Sequence, residues 1–107
     1  MTEAPREARF DPLLHPPARL QIAAVLANVS EAEFARLRSI TAVADSVLSK
    51  HLSALVEAGY IRLRKAALDG RQRTWAAFTP AGHRAFAGHR AALRALIENA
   101  EQAIAAE

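Results

Sequence analysis

The stretch DSVLSKHLSALVEAGYIRLRKAALDGRQRTWAAF, residues 45–78, changes its hydrophobic period once, and that change decides the fold. In its first half Leu48, Leu52, Leu55 and Val56 recur at helical spacing, with Val43 just ahead of them. Asp45, Ser46, Ser49, Lys50 and Ser53 fall on the opposite, solvent-facing side. Gly59 then stops the helix, since a glycine past the last helical residue takes up the left-handed backbone that ends it. From Tyr60 the period becomes two, with Ile61 and Leu63 on one face and Arg62 and Arg64 on the other, which predicts a half-buried strand. Asp69-Gly70 signals a tight hairpin turn, and TWAAFT has the aromatic and β-branched character of the return strand, with Ala76 and Phe78 directed to the core.

Outward from this stretch, the N-terminal side reads as two more helices. Pro17 suits a first helical turn, where its missing N–H is not needed, and ARLQIAAVLANV continues a helix over roughly 17–28. Ser30 and Glu33 form a capping-box pattern that places a second helix just after Ser30, with Phe34, Leu37 and Ile40 on its buried face. A break over residues 39–44 separates it from the third. On the C-terminal side, Thr79-Pro80 supplies a cap and a first-turn proline for a last helix long enough to reach roughly 35–40 Å. Helix, helix, helix, hairpin, helix is the order of a winged helix-turn-helix: a mainly α (α+β) fold with a three-helix core, a β-hairpin wing and a long C-terminal helix. The expected division is a flexible N-terminal arm over 1–12, a winged domain over 13–79, and a dimerisation helix over 80–107 that packs on the same domain.

A chain of 107 residues holds one hydrophobic core, and its 51% apolar content is rich in alanine, so that core should be thin. The last helix carries Phe86, Leu93, Ile97, Ala100 and Ile104 at spacings of seven, four, three and four, a seam that needs a partner surface. Together these predict a homodimer formed by the last helix and the first helix or N-terminal arm. Fourteen Lys and Arg against eleven Asp and Glu give a formal net charge of +3. The hairpin alone concentrates five basic residues (Arg62, Arg64, Lys65, Arg71 and Arg73) against the single acid Asp69, a local excess larger than that of the whole chain. The absence of cysteine excludes disulfides and thiolate metal sites. No apolar run approaches membrane-spanning length and MTEAPREARF lacks a signal-type hydrophobic core, so a cytoplasmic location is expected.

Three segments, FDPLLHPPARLQIAAVL, SVLSKHLSALVEAGYI and GRQRTWAAFTPAG, occur here in an order that resembles the compact winged-helix transcriptional regulators related to the MarR and ArsR groups. The resemblance covers about residues 10–95. It implies a homodimeric, sequence-specific DNA-binding regulator, acting as a repressor that occupies a promoter. The third helix would enter the major groove and present Asp45, Ser46, Ser49, Lys50 and Ser53. Wing residues Arg62, Arg64, Lys65, Arg71 and Arg73 would contact phosphate or the adjacent minor groove, where negative potential attracts arginine. Two-fold symmetry would set recognition helices about 34–36 Å apart on a palindromic operator. Two positions depart from the family pattern: Ala42 stands where relatives tend to have a turn glycine and Ala44 where they have a capping serine, which points to Thr41 as a substitute cap.

The remaining candidates carry less. His51 reads as a helix-packing or phosphate-facing residue, and His83 and His89, six apart, lie on different faces of the last helix and do not make a metal pair. Trp75 faces away from Phe78, toward the underside of the wing, a partner or an effector pocket. No cofactor or metal is expected, while a small-molecule effector is left open. The rival reading is a winged-helix protein-interaction module whose basic hairpin holds an acidic protein partner. Enzymatic function is not expected, because the chain offers no Cys nucleophile, no phosphate-binding glycine loop and no close pair of carboxylates.

Overall fold

Local chemistry sets most of the element ends in the computed structural model, which describes residues 8–106. A 3-10 turn (Pro12–Leu14) leads into helix α1 (Pro17–Leu26), followed by a two-residue strand β1 (Ala32–Glu33) and helices α2 (Phe34–Thr41) and α3 (Asp45–Glu57). Strands β2 (Ile61–Leu68) and β3 (Arg71–Phe78) and helix α4 (Pro80–Ala105) complete the chain. Pro17 occupies the first turn of α1, as its fixed φ favours. Helix α3 ends in a Schellman motif: Gly59 turns at φ +80, Tyr60 N–H donates to Leu55 O at 2.9 Å and Gly59 N–H to Val56 O at 2.9 Å. Asp69 and Gly70, at φ +54 and +75, form the two-residue turn between Leu68 and Arg71, which are paired opposite one another. Thr79 caps α4 by accepting from Gly82 N–H at 3.1 Å.

Inside, Leu14, Ile22, Leu26, Leu37, Leu48, Leu55 and His89 are fully buried, with Leu52, Ile61, Ala76 and Phe78 completing the core. Phe34, Val43, Ala85 and Phe86 pack on its edge. The three helices α1 to α3 thus share one apolar centre, and the inner face of the sheet closes it.

Four local readings of the sequence give way to longer-range packing. The Ser30/Glu33 capping box does not form; Ala32 and Glu33 instead pair with Ala76 and Trp75, so the hairpin gains a third strand in the antiparallel order β1-β3-β2 and α2 begins at Phe34. Glu33 is drawn there because its carboxylate meets Arg73 at 2.6 Å. Ile40, Val56 and Leu63, expected inside, are 37%, 41% and 43% exposed, because the ends of α2 and α3 and the hairpin extend past the core they border. Leu96, a candidate for packing back on the domain, is 58% exposed. Thr41 does not cap α3: its hydroxyl donates back to Leu37 O at 2.8 Å, and α3 starts after Ala44 with no side-chain cap.

Of the arm expected over 1–12, residues 1–7 lie outside the described residues. Residues 9–11 are not free but tied to α4. Arg9 N–H donates to Gly88 O at 2.9 Å and Asp11 N–H to His89 Nδ1 at 2.8 Å, while Tyr60 donates its hydroxyl to Asp11 Oδ2 at 2.5 Å. That last bond pushes the tyrosine pKa up to about 12. Asp11 therefore joins α4, the end of α3 and the 3-10 turn, whose Leu13 N–H it also accepts at 3.0 Å.

His89 makes this junction sensitive to acid. Burial, with a smaller contribution from the neighbouring His15, lowers its pKa below the ordinary 6.5, although Asp11 opposes the shift. A histidine whose folded-state pKa is depressed leaves the unfolded chain to bind the proton first, so stability is complete above about pH 6.5 and declines as pH falls below it. The melting temperature should accordingly drop between pH 7.5 and 5.5. His89→Gln retains an acceptor for Asp11 N–H but cannot titrate, so part of that slope should vanish. Melts of the variant with an unaltered pH slope would assign the titration elsewhere.

Candidate nucleic-acid interface

The amphipathic pattern of α3 buries Leu48, Leu52 and Leu55 and leaves Asp45, Ser46, Ser49, Lys50 and Ser53 all exposed on one side. A row of small hydroxyls and one lysine permits close approach to base edges, with donors and acceptors that rotate to suit. Asp45 is not free within this row. Arg38, in the last turn of α2, donates from Nη1 to both of its carboxylate oxygens at 3.1 and 3.3 Å. The pair spans the turn between the two helices, where Ala42 adopts the left-handed conformation at φ +58. A non-glycine residue there costs about 1 kcal/mol.

Two residues of this surface escaped the sequence reading. Arg38 is visible only as a basic residue in the helix preceding the break, and its role depends on the turn bringing it to Asp45. Val47, 40% exposed in the first turn of α3, is an apolar group of the kind that meets a thymine methyl. Its apolar character hid it, because a buried role is the default for valine.

His51 braces the helix from behind. Its Nδ1 accepts from Arg19 Nε at 2.9 Å, and Arg19 also donates from Nη1 to Leu13 O at 3.2 Å. Burial first, and then the Arg19 charge, lower the imidazole pKa, so His51 is a neutral acceptor linking α1 to α3. His83 sets its ring edge against Phe78 at 5.0 Å between centroids, on a different face of α4 from His89.

The wing divides by strand parity. Ile61, Leu63 and Lys65 lie opposite Phe78, Ala76 and Thr74 on the face that closes the core. Arg62 and Arg64 share the outer face with Trp75, Arg73 and Arg71. Arg62, Lys65 and Arg71 are exposed, and none has an ion-pair partner among the described residues. Arg64 and Arg73 differ from them. Arg64 binds the Glu31 carboxylate with two nitrogens and stacks over Trp75, its Cζ 5.6 Å from the ring centroid. Arg73 is held by Glu33 and is not a tip residue but lies half-covered on the sheet.

Of the seam on α4, Phe86 packs against its own core, 6.3 Å from the Phe78 ring, and is partly buried, as is Leu93. Ile97, Ala100 and Ile104 are exposed, and every residue from 94 to 106 is exposed. A groove of about 720 Å³ runs beside the N-terminal segment, lined mainly by Phe10, Pro12, His15, Pro16, Pro17 and Leu20. Among the described residues no helix is long and apolar enough to cross a membrane.

A three-helix core with an antiparallel wing and an exposed polar row on the third helix defines a winged helix. The chain belongs to the winged helix DNA-binding domain family, whose model matches residues 18–97. Among solved structures, a transcriptional regulator homologue from Pyrococcus horikoshii OT3 superposes with a TM-score of 0.77 at 24% identity, covering 92% of this chain and 97% of that one. NadR in complex with 4-hydroxyphenylacetate gives 0.67 at 20% identity, covering 87% and 68%. The putative transcriptional regulator ytfH from Salmonella typhimurium gives 0.67 at 19%, covering 87% and 82%. No curated protein matches the chain.

Proposed function

We propose that this protein is a cytoplasmic, homodimeric, sequence-specific DNA-binding transcriptional regulator that represses by occupying a palindromic operator. The observation that carries the reading is the exposed row Ser46, Ser49, Lys50 and Ser53 on α3, flanked by the cationic wing. Helix α3 reads base edges in the major groove, and the wing anchors to phosphate. Residues 13–79 form the DNA-binding part, and the half of α4 beyond Leu93 joins two copies through Ile97, Ala100 and Ile104. A small-molecule effector, of the kind bound in NadR, would find room in the apolar groove beside residues 10–20.

Selection of bound sequences from a random duplex library at near-physiological salt tests this reading. An enriched inverted repeat with half-sites about one helical turn apart is the expected result. Folded protein that enriches nothing would defeat it.

The wing makes a separate prediction. Each phosphate contact contributes about 0.9 to the slope of log affinity against log salt. Replacing Arg62, Lys65 and Arg71 by alanine should therefore flatten that slope by up to about 2.7 per protomer and weaken operator and random DNA alike. Fluorescence anisotropy titrations across a salt series would measure it, and an unchanged slope would remove the wing from the interface.

A further inference from the structure

The outer face of the hairpin carries four arginines in rows: Arg62 opposite Ala77, Arg64 opposite Trp75, Arg73 opposite Ala66, and Arg71 opposite Leu68. The two at the ends, Arg62 and Arg71, are exposed and have no ion-pair partner among the described residues. The two in the middle are neutralised by carboxylates that arrive from the segment leading into α2. Glu31 receives two nitrogens of Arg64, the Nε bond measuring 3.2 Å. Glu33, opposite Trp75 in the register, accepts from Arg73 Nη1 at 2.6 Å.

This two-pronged seating of a carboxylate on a guanidinium is the one a phosphate would take. Arg73 is held by one nitrogen only, Nη1, its Nε being buried without a partner. Stability does not account well for the Arg64 pair. With side chains 53% and 31% exposed it falls in the class of surface ion pairs that contribute little. Its strongest effect is on charge: it places a carboxylate in the centre of an otherwise cationic face.

We propose that Glu31 and Glu33 limit the wing's affinity, acting as internal substitutes for phosphate that withhold Arg64 and Arg73 from nucleic acid. The inference rests on the DNA-binding reading above. Sequence-blind binding derives almost entirely from phosphate neutralisation, whereas operator binding also draws on base contacts of α3. Withholding two cations from each wing therefore lowers both by a similar factor, and the base contacts of α3 carry a larger share of the operator's binding free energy.

The test is the full-length Glu31→Gln/Glu33→Gln variant, titrated against a random 20-base-pair duplex and against the selected operator over a range of potassium chloride concentrations. Glutamine keeps a hydrogen-bond acceptor but no longer holds the arginine by charge. The expected result is roughly tenfold tighter binding to random DNA near 0.1 M salt, with a slope steeper by about 0.9 for each freed arginine that reaches phosphate. The gain on operator should be similar, because phosphate contacts common to both complexes cancel in the specificity ratio. An unchanged slope in folded protein overturns the proposal. So does an equal gain from Glu57→Gln/Glu98→Gln, which alters net charge identically at exposed positions off the polar row of α3 and off the stripe Ile97, Ala100 and Ile104. If the double variant does not fold, Glu31→Gln alone carries the same comparison, because its pair is the more exposed. Wild-type protein that binds no duplex even at low salt would instead remove the DNA-binding reading itself.

Discussion

Gly82→Ala is expected to lower stability by about 3 kcal/mol, a fall in melting temperature of roughly 10–20 °C for a domain of this size. A Cβ at position 82 would lie 2.1 Å from the Tyr60 carbonyl oxygen and 2.7 Å from Phe78 Cδ1. Neither atom can withdraw easily. Tyr60 O already accepts from Thr79 N–H at 2.9 Å, and the Phe78 ring is set against His83 and Phe86. Thr79 adds a further constraint, since its hydroxyl donates to Gly59 O at 2.6 Å while accepting from Gly82 N–H. The start of α4 is thus clamped to the end of α3 and the first residue of the wing by contacts that share one glycine. Relief would require moving the helix off the sheet. Thermal melts decide the matter: a variant melting within a few degrees of wild type would mean that this close approach is not maintained in solution.

The second large effect concerns assembly. Ile97→Arg places a charge at the start of the exposed stripe Ile97, Ala100 and Ile104, at a position 56% exposed in the single chain. In an isolated protomer the guanidinium stays in water and folding is unaffected. In a dimer closed by this stripe it would be buried against apolar side chains, and an uncompensated charge in an apolar contact costs several kcal/mol. Light scattering should therefore report monomers with unchanged thermal unfolding of the winged body. Operator affinity should fall by orders of magnitude, because a single half-site retains only half of the base and phosphate contacts. A variant that remained dimeric would move the interface to another surface, for instance the N-terminal segment and α1.

Much of this architecture is legible in the sequence because it is written in short-range chemistry. The period change at Tyr60, the stop at Gly59, the Asp69-Gly70 turn and the Thr79-Pro80 cap all act within a few residues, and each stands in the structure where local spacing places it. The failures share a different cause. Ser30 and Glu33 have the spacing of a capping box, but Glu33 answers to Arg73, forty residues on, and pairing with β3 removes it from the helix. A separation of 33 residues likewise hides the neutralisation of Arg64 by Glu31. A charge count along the hairpin finds five basic residues but cannot find carboxylates supplied from another part of the chain. Val56, Leu63 and Leu96 have the right residue type and period for a core, yet the elements that carry them extend beyond the apolar volume available. The polar row on α3 is readable from period alone. Asp45 belongs to it by spacing, and only the folded turn shows that Arg38 already engages it.

Helix α4 runs for 26 residues, yet its last buried side chain is Ala92. Beyond that residue the helix is a tail supported in the single chain by its own backbone hydrogen bonds and little else. The docked half of α4 supplies the nucleus, so the tail only extends a helix already begun, but it gains no tertiary contact for the backbone freedom it gives up. Its last turns are therefore the part of α4 most open to fraying. Two chains meeting along this tail would suppress that fraying as they associate, so that quaternary structure and the helical content of the last few turns become linked, with protein concentration acting beside temperature.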